Sequence, residues 1–238
     1  MRKLSRRTFV SAAGLTAAGF ALGFAAKNLV LSTPTPPTLA PVTTPADALR
    51  RLMDGNGRYA AGASLHPNLS QERRAEVSQG QNPWAVILGC VDSRVPPEIM
   101  FDQGLGDLFV ARTAGQVIDN VVLGSLEFAV EEGAKLIMVL GHQSCGAVKA
   151  AVGAIQNNTQ ADGQIETLVE AIKPAVTIAK GQPGDLIDNS VRANVALEVQ
   201  QLKSSSEIIS HALDAGQISL VGARYDLVAG TVEVTVNG

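Results

Sequence analysis

The sequence predicts an α/β fold: a mostly parallel central sheet flanked by helices, with an N-terminal helical arm. Two observations carry it. Short, continuous apolar runs recur along the chain, at Trp84–Gly89, Leu108–Arg112, Lys135–Leu140 and Ile218–Gly222, and unbroken rather than alternating hydrophobicity marks strands buried on both faces. Helical stretches separate the runs, and a strand–helix–strand order implies right-handed crossovers and helices on both sides of a parallel sheet. A chain of 238 residues is long enough for one such domain with a well-buried core. Aromatic residues make up only 4% of it, so Ala, Val, Leu and Ile must fill that core. The net charge of −3, with 17% charged residues, leaves no basic footprint for nucleic acid.

The first residues stand apart from the domain. Met1–Val10 is a basic start with the twin arginine Arg6-Arg7, followed by an Ala/Gly-rich apolar segment to Leu31. Residues 1–31 read as a twin-arginine export signal, with small residues near Ala26 and Ala40 as cleavage points. A retained membrane anchor is the alternative, because the segment approaches the ~20 residues needed to span a bilayer. Residues 32–45 are Pro/Thr-rich and read as an extended linker. Residues 46–238 remain as the folded domain.

In that domain, Thr44 followed by Pro45 is a helix start. Ala48, Leu49, Leu52 and Met53 then share one face of an amphipathic helix. Asn68–Gln79, capped at Ser70, is a polar second helix. Between and after the strands, helices are expected over Asn120–Glu132, Ser144 to about Ile155, Gln164–Ala179 and Leu186–Leu213. Gly230–Val236 alternates and reads as an edge strand or hairpin. No internal repeat is visible.

Two motifs carry the chemistry. Cys90-Val-Asp92-Ser-Arg94 ends the first apolar run, and Gly141-His142-Gln-Ser-Cys145-Gly146 follows the third. Loops after the carboxyl ends of parallel strands line the ligand crevice, so both motifs should meet on one rim. Cys90, His142 and Cys145 offer two thiolates and one imidazole, a three-ligand set that leaves a tetrahedral zinc ion one open position, as catalytic zinc requires. Zinc so held lowers the pKa of its water toward ~7 and delivers hydroxide at neutral pH. In an exported protein the only two cysteines also invite a disulfide. The flanking glycines and polar residues, and the histidine three positions before the second cysteine, favour metal. On extended backbone, residues two apart point the same way, so Asp92 and Arg94 should face the metal side. Asp92 then orients the hydroxide or closes the site as a fourth ligand, and a bidentate pair with Arg94 holds it off. A solvated ion pair is the plainer alternative for these two. His66 reads as an exposed loop residue, and His211 as a helix-end cap.

Together C-V-D-S-R, F-V-A-R-T-A-G-Q (Phe109–Gln116) and G-H-Q-S-C-G resemble the β-class carbonic anhydrases. G-A-R-Y-D-L-V-A-G (Gly222–Gly230) is similar to that family's closing strand, and the resemblance runs from about Ala46 to Val236. It implies one zinc ion per subunit on Cys90, His142 and Cys145, with Asp92 and Arg94 as the catalytic dyad. The implied reaction is reversible hydration of CO2 to bicarbonate and a proton. The implied assembly is a homodimer or higher oligomer, its N-terminal helix embracing the partner and its active site near the interface. Similar proteins hydrolyse carbon disulfide or carbonyl sulfide on the same ligands, and a site closed permanently by Asp92 would make a non-catalytic zinc- or bicarbonate-binding module. Gln116 stands where many members have asparagine. Arg112 and Tyr225 match a regulatory bicarbonate pocket of some members, but Ile87 replaces its tryptophan, so that control is not expected. Val95, Phe101, Val117 and Val121 read first as core, and otherwise as apolar walls for a small neutral gas. The export signal implies an extracytoplasmic, periplasmic location, with membrane contact only through an uncleaved N-terminal segment.

Overall fold

A computed structural model describes residues 39–238; the expected export signal and residues 32–38 of the linker lie outside the described residues. The first helix, α1 (Pro45–Ala60), starts as the sequence predicts. Thr44 accepts a hydrogen bond from the Asp47 N–H through its side chain, and the Asp47 carboxylate accepts from the Thr44 N–H, a reciprocal capping box. Its buried stripe is Ala48, Leu52, Gly55 and Asn56, with Leu49 and Met53 only partly covered. Gly55 is required there: a Cβ would lie 1.8 Å from the Phe101 carbonyl oxygen. The side-chain amide of Asn56, 3% exposed, donates to the carbonyls of Met100 and Gly230 and accepts from the Val232 N–H. The polar α2 (Gln71–Val77) buries no residue.

The sheet is built from β1 (Ala85–Cys90), β2 (Leu108–Thr113), β3 (Leu136–His142), β4 (Ser219–Tyr225) and β5 (Val232–Asn237) in the order β2-β1-β3-β4-β5. The first four pair in parallel and β5 closes the far edge antiparallel to β4, as the alternating pattern at the C-terminus predicts. Alternate residues of β1 and β3 enter two cores, one on each face. Ile87, Met138 and Leu140 pack with α1, α5 (Gly146–Asn157) and α6 (Ile165–Ala179). Val86, Leu88, Ile137 and Val139 pack with α4 (Asn120–Glu131), α7 (Leu186–Ser205) and α8 (Glu207–Asp214). Two-sided burial explains the continuous apolar runs of β1 and β3, whereas β2, expected to be buried on both faces, lies at the sheet edge and is only partly buried along its whole length.

The structure corrects the sequence reading in three places. The single helix expected over Leu186–Leu213 is two, broken at Ser206, whose backbone is extended at φ −129° and ψ 117°. Ser206 Oγ caps α8 by accepting from the Ile209 N–H and donates to Glu127 at 2.6 Å, so its side chain takes the bonding that a continuous helix would give the backbone. A four-residue helix, α3 (Pro97–Met100), and a 3₁₀ turn over Ala114–Gln116 are also present; both are too short to show a period in sequence. Among the described residues no helix is long and apolar enough to cross a membrane.

Candidate metal centre

The two motifs do meet on the rim at the carboxyl ends of β1 and β3. Cys90 is the last residue of β1, His142 the last of β3, and Cys145 the residue before α5; all three are buried. Their ligand atoms lie within 4.8 Å of one another, and both cysteines are free thiols. His142 Nδ1 lies 2.9 Å from the Gln143 carbonyl oxygen. A carbonyl only accepts, so Nδ1 carries the proton and the Nε2 lone pair is left to face the thiols. Nε2 is buried with no hydrogen-bond partner, an arrangement that costs free energy unless something binds there. An orphaned imidazole nitrogen between two thiols fits a zinc-type cation, the donor set of two sulfurs and one nitrogen being that of an open zinc site.

The thiols are coupled. A hydrogen bond from Cys145 pulls the Cys90 thiol down, and the Gly115 N–H adds to it. Cys145, beside that sulfur and buried, is pushed up. A divalent cation reverses the second effect, because thiolate is the form that ligates.

Asp92 reaches the cluster by a different route from the one expected. β1 ends at Cys90, so Asp92 and Arg94 lie in a tight turn in which the Val95 N–H donates to the Asp92 carbonyl. The Asp92 carboxylate also accepts from the Arg94 N–H, at 3.0 Å. Even so, Asp92 Oδ2 lies 4.0 Å from His142 Nε2. Arg94 grips both carboxylate oxygens, Nε to Oδ1 at 2.9 Å and Nη2 to Oδ2 at 2.7 Å. That guanidinium holds the Asp92 carboxyl far below the usual carboxylate range. The turn is pinned from β2: Arg112 donates to the carbonyls of Cys90 at 2.7 Å and Asp92 at 2.6 Å. Arg112 thus serves the backbone around Cys90, a role its motif alone did not suggest.

Sequence reasoning also missed Gly115. Its N–H donates to Cys90 Sγ at 3.3 Å, from a left-handed conformation (φ 69°, ψ 20°) in which a Cβ would meet Ile172 at 2.8 Å and Ala147 at 3.1 Å. The A-G-Q string carried the signal, since a glycine after a predicted strand marks a close approach. Gln116 is buried beside Gly115, whereas His66 and His211 are exposed and outside the cluster. Val95 and Phe101 are core residues, Val117 packs against that core, and Val121 is 77% exposed on α4.

The family model described as carbonic anhydrase matches residues 85–232. A carbonic anhydrase of Mycolicibacterium smegmatis is 46% identical over 195 residues, covering 82% of this chain and 95% of the relative. This chain belongs to the β-class carbonic anhydrase family. Carbonic anhydrase 2 of Mycobacterium tuberculosis is 45% identical over 191 residues, 80% of this chain and 92% of its own. Among solved structures, a Coccomyxa β-carbonic anhydrase in complex with acetazolamide superposes with a TM-score of 0.59 at 27% identity, over 79% of this chain and 83% of that one. Two tetrameric β-carbonic anhydrases from Sordaria macrospora are described in a study whose matched chain shares the fold, with a TM-score of 0.63 at 20% identity over 81% and 99% of the two chains.

Glu198 is a buried acid outside the carbonic anhydrase motifs. Glu198 on α7 is 6% exposed, its Oε2 has no partner, and burial pushes its carboxyl from an ordinary 4.5 up to about 9. The unfolded chain releases this proton first, so the contribution of Glu198 to stability is greatest below about pH 4.5 and is lost as pH rises toward 9. Cys90, whose thiol is pulled down in the fold, opposes this, and Glu198 alone should add a falling slope of at most about 1.4 kcal/mol per pH unit to the unfolding free energy from urea titrations between pH 5 and 8. Glu198→Gln should remove that slope; an unchanged slope would mean that the carboxyl is ionised in the fold.

Proposed function

We propose that Cys90, His142 and Cys145 hold a zinc ion and that the protein uses it to interconvert CO2 and bicarbonate. The buried, partnerless His142 Nε2 between two free thiols is the observation that carries this reading. Zinc held by three protein ligands supplies a Lewis acid that makes water nucleophilic at neutral pH. The chain supplies the rest. The Gln143 carbonyl keeps the His142 proton on Nδ1, away from the ligating face. Asp92, ionised throughout the working pH range, places Oδ2 4.0 Å from His142 Nε2, where it would accept a hydrogen bond from a water held at the cluster and fix its direction. Arg94 keeps Asp92 in that place and off the cation. Stopped-flow CO2 hydration across pH, with zinc analysis of the same sample, tests the reading. Near-stoichiometric zinc with turnover is expected; bound zinc without hydration between about pH 6 and 9 would falsify it.

The working unit we infer is a homodimer or larger. β2 is an open sheet edge. Beside it, Phe109 and Phe128 stack edge to face at 6.1 Å, with Phe128 54% and Val121 77% exposed. Such an apolar edge is costly to leave in water and suited to a second copy of the chain. The tetrameric Sordaria macrospora proteins point the same way. Light scattering should show a dimer or larger for the native chain and a shift toward monomer for Val121→Asp; an unshifted mass would place the interface elsewhere. Export to the periplasm is proposed on the twin arginine at Arg6-Arg7. A fusion of residues 1–45 to a reporter active only outside the cytoplasm tests it, and no reporter signal would sink it.

A further inference from the structure

Helix α7 approaches the sheet unusually closely at one point. A Cβ at Gly141 would lie 2.6 Å from Val195, and one at Gly222 would lie 2.5 Å from it, so the two glycines form a seat for this valine. The seat fixes the height of the helix above the sheet and with it the position of the preceding residue. Asn194 is 2% exposed, and its amide donates to the Gly115 carbonyl at 3.0 Å. The same nitrogen makes a longer contact, 3.4 Å, with Glu198 Oε1 one turn on. On its other side Gly115 turns its N–H onto Cys90 Sγ at 3.3 Å. A continuous path therefore runs from Glu198 through Asn194 and Gly115 to a sulfur of the metal cluster. Every member of it is buried and none lies in the two cysteine motifs.

We propose that Asn194 is a positioning residue for the metal centre: by holding the Gly115 carbonyl it aims the Gly115 N–H at Cys90 Sγ, and Glu198 holds the Asn194 amide in the required orientation. An N–H aimed at a thiolate withdraws charge from the sulfur and fixes its direction, and outer partners of this kind govern how tightly a metal is held. Gly115 needs such an anchor. It sits in a left-handed backbone conformation within a three-residue turn, and the Asn194 amide ties its carbonyl to α7. Glu198 suits the task because its neutral form accepts at one oxygen without leaving a buried charge beside the amide. The two hydrogens of the Asn194 amide match the two acceptors, the Gly115 carbonyl and Glu198 Oε1.

The inference rests on the zinc reading above, and its test separates the two. Zinc affinity of the full chain is measured by chelator competition, and the sulfur-to-metal charge-transfer bands are recorded after replacement of zinc by Co(II). The native chain must first bind metal with thiolate bands; if it does not, the zinc reading falls and this inference falls with it. Given metal binding, Asn194→Ala should weaken zinc affinity about 10–100-fold and shift the charge-transfer bands, because the Gly115 N–H no longer points at the sulfur. Asn194→Leu, close in volume and lacking the donor, should do the same and stands in if the alanine variant does not fold. Glu198→Leu should weaken binding as well, and Glu198→Gln, which keeps an acceptor for the Asn194 amide, should recover most of the loss. A merely structural role would lower thermal stability in all four variants and leave the cobalt spectrum untouched. Unchanged affinity and bands in a folded Asn194 variant would overturn the proposal while leaving the zinc reading intact.

Discussion

Cys90→Ser is expected to abolish zinc binding and CO2 hydration together, with metal content falling from near one per chain to near zero. Loss of an outer partner of a metal ligand already costs about 10–100-fold in affinity, and loss of a ligand itself costs more. Serine keeps the shape of the side chain but offers a hydroxyl that is not deprotonated at neutral pH, so the cluster is reduced to one sulfur and one nitrogen. Cys90 is also the sulfur into which the Gly115 N–H donates, and its backbone carbonyl is gripped by Arg112. The fold around it should therefore survive, because the Arg112 contacts are to backbone. Metal analysis alongside stopped-flow hydration checks the result. A variant that is folded, zinc-free and fully active would remove the metal from the mechanism altogether.

Asp92→Asn should separate binding from turnover. The amide fills the same space, so zinc content should stay near that of the native chain, while kcat/KM for hydration should fall by about 10²–10⁴, the range seen when a positioned acid–base group is lost. The Arg94 grip explains a second expectation. Without Arg94, the carboxylate that lies 4.0 Å from His142 Nε2 is free to move onto the cation. Arg94→Ala should therefore also lose activity, and the double variant with Asp92→Asn should be little worse than Asp92→Asn alone. Such non-additivity is expected of residues that act as a unit. Fully additive losses would mean that Arg94 acts on something other than Asp92.

What could be read from the sequence, and what could not, divides along the range of the forces involved. Strand runs such as Lys135–Leu140 are legible because burial on both faces leaves no choice but apolar residues. The metal trio is legible because a chain with two cysteines and three histidines rarely sets one of each at the ends of two adjacent strands, with the second cysteine three residues on, by chance. The Asp92–Arg94 pair could be named, but its geometry could not: a turn delivers Asp92, where strand alternation was expected. The Ser206 break was hidden because serine in a polar stretch is compatible with helix, and only its contact with Glu127 decides the matter. Asn194 and Glu198 were invisible for the same reason. Nothing local distinguishes a buried polar pair on a helix from an exposed one; the glycine seat under Val195 does.

The Asn56 amide has a bearing on how the chain reaches this state. Its bonds to the Gly230 carbonyl and the Val232 N–H span 174 and 176 residues, so they join the first helix of the domain to its last strand. During synthesis from the N-terminus, β1, β3 and the start of α5, which carry all three candidate ligands, leave the ribosome well before α7 and β5. The metal-gathering half of the molecule can thus take shape early, while α1 waits for the final strand to complete the bonding of Asn56 that Met100 begins. A chain cut short before β5 would leave the buried Asn56 amide oxygen without the Val232 N–H, so damage at the C-terminus would also loosen the first helix.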